Sequence, residues 1–165
     1  MSEHYLHQSV RAGFAVLTIS DTRNERTDES GKAAKRLIKE KGHQVLTHKI
    51  VKNDKPLIQA VVKEMMQDPK IDVIITIGGT GISRRDLTVE AVSKLLDKKI
   101  VGFGELFRNL SYQEIGETAM ISRATAGTKN GKIVFCLPGS KKAVELALDK
   151  LILPRLGHVV KEANR

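Results

Sequence analysis

The sequence lacks tryptophan and has only one cysteine, two tyrosines and four phenylalanines in its 165 residues. A single cysteine excludes an internal disulfide, and so few aromatic residues predict a core of mainly aliphatic side chains. No apolar run reaches the roughly 20 residues that a membrane span needs, and the first residues lack the basic and then apolar pattern of a secretory signal. These absences predict a cytoplasmic protein with no membrane partner.

Positive charge is in excess. The chain has 28 Lys and Arg residues against 19 Asp and Glu residues, a formal net charge of +9 at pH 7. Such a balance favours anionic ligands, among them phosphates, nucleotides and nucleic acid. The basic residues are spread over the predicted helices rather than grouped with aromatic residues, and we therefore expect no nucleic-acid partner.

Length and hydrophobic patterning predict one α/β domain over residues 1–165, with residues 1–11 as a loose N-terminal arm. Apolar, β-branched runs predict strands, and amphipathic segments predict helices between them. This alternation, with about 30 residues per unit, is typical of a mostly parallel sheet with helices on both faces. The predicted strands are residues 14–20, 45–51, 71–77, 124–128 and 132–137, and the predicted helices are residues 30–41 and 88–97 and two that begin near Asp54 and Ser140.

Three breaks are predicted in the second half of the chain. Residues 102–123 have a helical pattern that is interrupted near Gly116. Asn130-Gly131 is a strong hairpin signal between the last two strands. Pro154 is expected to bend or end the helix that begins near Ser140, because proline has no N–H group to donate.

Several nucleotide-binding and catalytic motifs are absent. The P-loop signature does not occur, and Gly79-x-Gly81 is followed by Arg84 where a Rossmann fingerprint needs a third glycine. Gly81-x-Ser83 leads to Arg85 rather than to the glycine of a nucleophile elbow. The one His-x-x-His spacing, His4 to His7, lies in the predicted arm, and no Cys-x-x-Cys spacing occurs, which argues against zinc. These absences leave the glycine-rich segment itself as the main candidate for a ligand site.

That segment, Gly78-Gly79-Thr80-Gly81-Ile82-Ser83-Arg84-Arg85-Asp86, directly follows the most strand-like run in the chain. In a doubly wound sheet, ligands bind beyond the carboxyl ends of the strands. We therefore expect the segment to meet residues 21–23 and 138–140 there. Glycines allow the backbone to turn sharply and to present its N–H groups to a phosphate.

Side chains in the segment add to this chemistry. Thr80 and Ser83 offer hydroxyl groups, Arg84 and Arg85 offer positive charge, and Asp86 offers a hard oxygen ligand for Mg²⁺. The same residues also fit a plain strand-to-helix turn in which Ser83 and Asp86 form a capping box. The residues alone leave the two interpretations open.

Two other polar positions have a structural and a functional interpretation. Asp54 precedes Lys55-Pro56 in the usual arrangement of a helix cap, which explains it locally. Pro138-Gly139-Ser140 precedes a strong helix whose first N–H groups, together with Lys141 and Lys142, can hold an anion. The local sequence favours a plain cap in both cases.

Four motifs, in order and with matching spacing, resemble the signature of the molybdopterin-binding family. They are Thr76-Ile77-Gly78-Gly79-Thr80-Gly81-Ile82-Ser83-Arg84-Arg85-Asp86-Leu87-Thr88, Gly102-Phe103-Gly104-Glu105-Leu106-Phe107-Arg108, Ile121-Ser122-Arg123-Ala124 and Leu137-Pro138-Gly139-Ser140. The resemblance covers about residues 13 to 157. It is greatest to the subgroup of molybdenum cofactor biosynthesis protein B, because the chain has Leu110-Ser111-Tyr112-Gln113-Glu114-Ile115-Gly116 and no extra domains.

The resemblance implies a three-layer α/β sandwich that forms homotrimers or homohexamers. It implies adenylylation of molybdopterin with Mg·ATP or, in a member without turnover, molybdopterin binding as a carrier. Asp86 and Asp54 match the two catalytic acids that hold Mg²⁺, which reverses the local interpretation of Asp54. The implied contacts to molybdopterin or phosphate are Thr76, Gly78, Gly79, Thr80, Gly81, Ser83, Ser122, Pro138, Gly139 and Ser140.

The charge pattern agrees with that chemistry. Molybdopterin and ATP are both anions, and catalysis of phosphoryl-type transfer consists mostly of positioning and charge neutralisation. A glycine loop, a bound Mg²⁺ and a basic surface supply these effects. The pterin phosphate is the nucleophile and pyrophosphate leaves, so the missing catalytic triads are not needed.

Overall fold

The computed structural model of the protein describes residues 10–165, and most of the predicted arm, residues 1–11, lies outside this range. One sheet of six strands runs through the described residues in the order β2-β1-β3-β6-β5-β4. β2, β1, β3 and β6 are parallel, whereas β5 is antiparallel to both β6 and β4. The strands are β1 (Gly13–Ile19), β2 (Gln44–Val51), β3 (Val73–Ile77), β4 (Lys98–Lys99), β5 (Thr125–Lys129) and β6 (Lys132–Leu137).

Helices cover both faces of the sheet, which confirms the predicted three-layer α/β sandwich. α1, α4, α5 and α6 pack on one face, and α2 and α3 on the other. Among residues 10–165, none of the helices combines the length and the apolar character that crossing a bilayer requires. The helices are α1 (Glu29–Glu40), α2 (Lys55–Gln67), α3 (Thr88–Ser93), α4 (Val101–Ile115), α5 (Lys141–Ala147) and α6 (Leu156–Ala163).

The two faces of the central strands are buried in two separate cores. Side chains of a strand alternate between the faces of the sheet. Val16 and Ile75 therefore pack against α1, α4 and α5, while Leu17 and Ile74 pack against α2 and α3. The sequences of these strands are continuous apolar runs because helices cover both faces of the sheet. Cys136 is fully buried in β6, as its apolar context predicts, and burial raises the pKa of its thiol to about 12.

The predicted helix 88–97 is shorter in the structure and ends at Ser93. The N–H groups of Leu95 and Leu96 donate to carbonyls three residues earlier, at 2.9 and 3.4 Å, which forms a tight turn. The N–H group of Asp97 then donates to the carbonyl oxygen of Thr128 at 2.9 Å and starts the pairing of β4 with β5. The chain leaves the helix because its backbone pairs with the edge of the sheet, a non-local contact that local periodicity does not contain.

The other predicted breaks are confirmed. α4 ends at Ile115, and a 3-10 helix follows over Gly116–Ile121. Asn130 and Gly131 have φ values of 50° and 77° and join β5 to β6. α5 continues into a π turn over Leu148–Ile152 and a 3-10 turn over Leu153–Arg155, which contains Pro154. A proline there has no N–H group for the helical ladder, so the regular α-helix resumes only at α6.

Candidate functional site

A cleft of about 640 Å³ opens at the carboxyl ends of β1, β3 and β6. This is where a doubly wound sheet binds its ligands, and the volume is in the range of small-molecule sites. The residues that follow the strands form its polar side, and α4 with the 3-10 helix forms a more apolar side. The polar side includes Asp21, Arg23, Asn53, Gly78, Gly79, Thr80, Gly81, Asp86, Gly139 and Ser140, and the other side includes Phe107, Ser111, Ile115, Thr118, Ile121 and Ser122.

The glycine loop, residues 78–86, forms the centre of the polar side. Gly78 and Gly79 have φ values of 103° and 72°, which residues with a side chain rarely adopt. Their carbonyl oxygens accept hydrogen bonds from the Oγ1 atom of Thr88, at 2.7 Å, and from its N–H group, at 3.0 Å. Within residues 10–165 the N–H groups of Gly79, Thr80 and Gly81 have no hydrogen-bond acceptor. They are therefore free to donate to a bound anion.

Asp86 closes the loop and also lines the cleft. Its Oδ2 atom accepts a hydrogen bond from the N–H group of Ser83 at 2.9 Å, and its own N–H group donates to the carbonyl oxygen of Ser83 at 3.0 Å. The two interpretations of this pair are therefore compatible. Ser83 and Asp86 stabilise the turn, and the carboxylate remains half-buried at the cleft.

Asp54 occupies a different position. Its Oδ1 atom accepts a hydrogen bond from the N–H group of Leu57 at 2.8 Å and caps α2, as the local sequence predicts. Asp54 is exposed and is not among the residues that line the cleft, whereas the preceding residue, Asn53, lines it. The helix start holds the Asp54 carboxylate because the first N–H groups of α2 need an acceptor. The structure does not bring Asp54 into the cleft wall beside Asp86.

Asp21 joins three loops at the rim of the cleft. Its Oδ2 atom accepts hydrogen bonds from Nη2 and Nε of Arg85, at 2.5 and 3.1 Å, and its Oδ1 atom accepts one from the N–H group of Asn53 at 3.1 Å. The bonds from Arg85, followed by the bond from Asn53, lower the pKa of Asp21 below its usual value. Asp21 therefore stays ionised and connects the loops that follow β1, β2 and β3.

Arg23 fixes the loop that follows β6. Its Nη1 atom donates to the carbonyl oxygen of Gly139 at 2.9 Å and to Oγ of Ser30 at 3.1 Å. The fully buried Asp28 carboxylate lies 3.9 Å from the same nitrogen. Ser140 caps α5, since its Oγ atom accepts from the N–H group of Ala143 at 3.2 Å. Pro138, Gly139 and Ser140 line the cleft as expected, and Arg23 adds a cation that the motif search did not single out.

Three predicted contact residues have distinct surroundings. Thr76 is fully buried in β3 and does not line the cleft. Because Ile75 and Ile77 face α5, alternation directs Thr76 toward α2, on the same face as Cys136. Ser83 is exposed on the outer side of the loop and also lies outside the cleft wall. Ser122 lines the cleft, and its buried Oγ atom has no hydrogen-bond partner among residues 10–165.

Sequence reasoning missed Asn53 as a cleft residue. Its Oδ1 atom is buried without a hydrogen-bond partner in the described part of the chain. A Cβ atom added to Gly79 would lie 3.2 Å from that oxygen, so Asn53 stands directly beside the glycine loop. The signal that the sequence did contain was the position of Asn53 after β2, at the same edge of the sheet as the glycine run. The motif match directed attention to its neighbour, Asp54, instead.

The Asp86 carboxylate could hold a magnesium ion that arrives with a phosphate ligand. Its Oδ2 atom accepts the hydrogen bond from Ser83, and within residues 10–165 no donor contacts its Oδ1 atom, whereas both oxygens of Asp21 accept hydrogen bonds from Arg85 and Asn53. Residues 10–165 contain no cluster of three or more His, Cys, Asp or Glu side chains that holds a metal without other ligands. Mg²⁺ commonly binds through one or two carboxylates together with substrate phosphates and waters. The donor set suits that mode better than a closed, all-protein metal site.

Comparison with known proteins identifies the family of the chain. Residues 15–158 match the family described as a probable molybdopterin binding domain. The chain is 52% identical to the molybdenum cofactor biosynthesis protein B of Bacillus cereus over 166 aligned residues, which cover 100% of this chain and 98% of the relative.

Solved structures give the same result. A crystal structure of a molybdenum cofactor biosynthesis protein B is 54% identical and superposes with a TM-score of 0.92, covering 94% of this chain and 98% of that one. The tungsten cofactor synthesizing protein MoaB of Pyrococcus furiosus is 37% identical, with a TM-score of 0.85 and coverage of 94% and 98%. The chain therefore belongs to the molybdopterin-binding domain family, in the group of the molybdenum cofactor biosynthesis B proteins.

Proposed function

We propose that this protein acts in molybdenum cofactor biosynthesis, where it binds molybdopterin in the cleft and transfers AMP to it from Mg·ATP. The observation that carries the proposal is the glycine loop. Its N–H groups at Gly79, Thr80 and Gly81 lack acceptors among residues 10–165, and the Asp86 carboxylate lies at the same wall. Family membership and the names of the relatives support the identity of the ligand.

The two sides of the cleft suit the two parts of molybdopterin. The glycine loop binds the terminal phosphate through its N–H groups, which carry partial positive charge. Phe107, Ile115 and Ile121 offer an apolar wall for the ring system. Arg23 brings a guanidinium group to the edge of the same cleft, with the buried Asp28 carboxylate 3.9 Å behind it. The ligand is thereby held with its phosphate at the carboxyl ends of the strands.

The transfer step requires alignment rather than a protein nucleophile. An oxygen of the molybdopterin phosphate forms a bond to the α-phosphorus of ATP, the bond to the β-phosphate oxygen breaks, and pyrophosphate leaves. Asp86 would hold the Mg²⁺ ion, which would neutralise charge on the nucleotide phosphates. The chain binds and orients the two anions, which is the main source of rate enhancement in this class of reaction.

Pyrophosphate release tests the proposal. The protein is incubated with molybdopterin, ATP and Mg²⁺, and molybdopterin binding is titrated in parallel with and without Mg·ATP. Release of one pyrophosphate per adenylylated pterin supports transfer. Tight binding without release supports the alternative function, a carrier that holds molybdopterin without turnover. Absence of molybdopterin binding contradicts both functions.

We also propose that the protein is a homo-oligomer, a trimer or a hexamer. Large apolar side chains are exposed on α4 and the 3-10 helix, a set that is unusual on a monomer surface. Those that do not line the cleft are what we call the α4 patch: Val101, Leu106, Tyr112 and Met120, which are 56% to 79% exposed. A second copy of the chain is the occupant that the family resemblance implies.

Leu106→Asp is expected to lower the particle mass, because it places a charge within the α4 patch, where Leu106 is 56% exposed. Light scattering after size exclusion measures the change. Leu57→Asp is the matched control, since Leu57 is 40% exposed on α2, outside the patch. A monomeric parent protein, or equal masses for both variants and the parent, would argue against assembly through this patch.

A further inference from the structure

We propose that Arg123 and Glu90 are positioning residues that set the shape of the glycine loop from the side opposite the cleft. This inference rests on the proposed function in one respect, namely that the loop is the phosphate site. It concerns two residues that sequence reasoning gave no role. Arg123 occurred only as part of a family motif, and Glu90 lay in a predicted helix.

Arg123 binds carbonyl oxygens near both ends of the loop. Its backbone N–H group donates to the carbonyl oxygen of Thr80 at 3.0 Å. Its Nε atom donates to the carbonyl oxygen of Gly81 at 2.8 Å, and its Nη2 atom donates to that of Asp86 at 3.3 Å. One residue thus takes up three loop carbonyls. Peptide groups are planar, so fixing these carbonyls also restricts the directions of the adjoining N–H groups.

Glu90 fixes the guanidinium group in turn. It lies in the first turn of α3, and its carboxylate accepts hydrogen bonds from Nη1 and Nη2 of Arg123, the latter at 3.3 Å. The hydrogen bond from Arg123 lowers the pKa of Glu90, and the hydrogen bond to Glu90 raises the pKa of Arg123. Both groups are therefore charged at neutral pH. The planar fork of arginine provides this set of donors in fixed directions, and lysine cannot reproduce it.

Arg108 holds the segment that carries Arg123. Its Nη1 atom donates to the carbonyl oxygens of Ala124 and Ser122, at 2.9 and 3.3 Å. These residues flank Arg123 on both sides, so the segment is attached to α4 through Arg108 and to the glycine loop through Arg123. The loop is thereby tied to both α3 and α4, although residues 82–85 themselves are exposed.

The charge balance indicates that Arg123 acts by fixing the shape of the glycine loop and not by adding positive charge to the phosphate site. Its positive charge is paired with Glu90, and neither residue lines the cleft. Arg123 therefore adds little net charge to a bound phosphate and differs from Arg23, which lines the cleft. Loss of the Arg123–Glu90 pair should release the loop without removing any group that contacts ligand.

Amide hydrogen exchange tests this role directly. Peptides spanning residues 80–90 report on the bonded N–H groups of Ser83, Asp86 and Thr88. We expect exchange there to rise about tenfold in Arg123→Lys and in Glu90→Gln, the change that loss of one charge-assisted hydrogen bond produces. Exchange in α2 should change little once it is corrected for any change in the urea midpoint. Arg155→Lys and Glu114→Gln, which replace exposed residues of the same types, should match the parent protein.

Chemical rescue tests whether the loop needs the forked, fixed donors of a guanidinium group or only a positive charge. In Arg123→Ala, added guanidinium ion at millimolar concentration should slow exchange of residues 80–90 again, and methylammonium should not. Unchanged exchange in both Arg123→Lys and Glu90→Gln would overturn the proposal, as would equal rescue by the two cations. If Arg123→Ala does not fold, the two milder variants still decide the question.

Binding provides the functional readout. The Kd for molybdopterin should rise about tenfold in Arg123→Lys and Glu90→Gln, in step with the exchange. A Kd that stays at the parent value while exchange rises would contradict control of the phosphate site by this pair. If the parent protein binds no molybdopterin, the proposed function fails, and the exchange experiment still tests whether Arg123 and Glu90 set the loop.

Discussion

Asp86→Asn is expected to lower AMP transfer to molybdopterin by roughly 100-fold or more, the size of effect that follows loss of one electrostatic contact in a transition state. Asparagine retains an oxygen at the Oδ position, so it can still accept the hydrogen bond from the N–H group of Ser83 that closes the loop. It lacks the negative charge that would hold Mg²⁺ beside the phosphates. The substitution therefore keeps the hydrogen bond that closes the loop and removes only the charge that would hold Mg²⁺.

The measurement is pyrophosphate release with molybdopterin, ATP and Mg²⁺ at several metal concentrations. Asp97→Asn is the matched control, because Asp97 is an exposed carboxylate paired with Lys129 at 2.8 Å and does not line the cleft. The urea midpoint and the particle mass of both variants should equal those of the parent protein. A normal transfer rate in Asp86→Asn would show that Asp86 only stabilises its turn.

Asp54→Asn tests the second acid that the family resemblance implies. Asparagine caps a helix about as well as aspartate, so the change should leave the free energy of unfolding within about 0.5 kcal/mol of the parent value. The capping bond to the N–H group of Leu57, 2.8 Å in the parent, needs only an oxygen acceptor. We expect transfer to fall, because the resemblance places a charge requirement on this residue. Retained transfer would leave Asp54 with the capping role alone.

Gly78→Ala is expected to destabilise the fold by at least about 2 kcal/mol and to abolish molybdopterin binding. Gly78 has a φ of 103°, a conformation that alanine adopts only with strain. A Cβ atom at this position would also overlap the carbonyl oxygen of Ile19 at the end of β1. The loop must therefore move away from the strand, and its N–H groups move with it.

Urea unfolding and a molybdopterin titration measure the two effects. Gly102→Ala is the control for replacing glycine by alanine, because a Cβ atom there meets no atom within 4 Å and the residue lies in the first turn of α4. That variant should be as stable as the parent or up to about 1 kcal/mol more stable. Equal urea midpoints for Gly78→Ala and the parent would contradict the strain argument.

Local patterns predicted most of the fold because the forces behind them act over a few residues. β-branched apolar runs gave the parallel strands, and Asp54-Lys55-Pro56 gave the start of α2. The predicted end of α3 was wrong because the N–H group of Asp97 donates to the carbonyl oxygen of Thr128, 31 positions later in the sequence. β4 has only two residues, Lys98 and Lys99, and its pairing depends on that distant partner rather than on its own composition.

In the candidate site, too, local features were predicted from the sequence and contacts between distant residues were not. Glycines with no side chain to obstruct a ligand are visible in sequence, so the loop was predicted. The contacts of Asp21 with Arg85 span 64 positions and those of Arg123 with Gly81 span 42. Such pairs follow from how the layers pack, and no spacing rule connects them. Thr76 was misplaced for a related reason, because a motif match does not say which face of the sheet a strand residue occupies.

The pairing of Arg85 with Asp21 has a consequence for the loops at the rim of the cleft. Arg85 is exposed and does not line the cleft, so its ion pair with Asp21 lies at the surface, where dissolved salt screens it. High ionic strength is therefore expected to weaken the connection between the loop that follows β1 and the glycine loop.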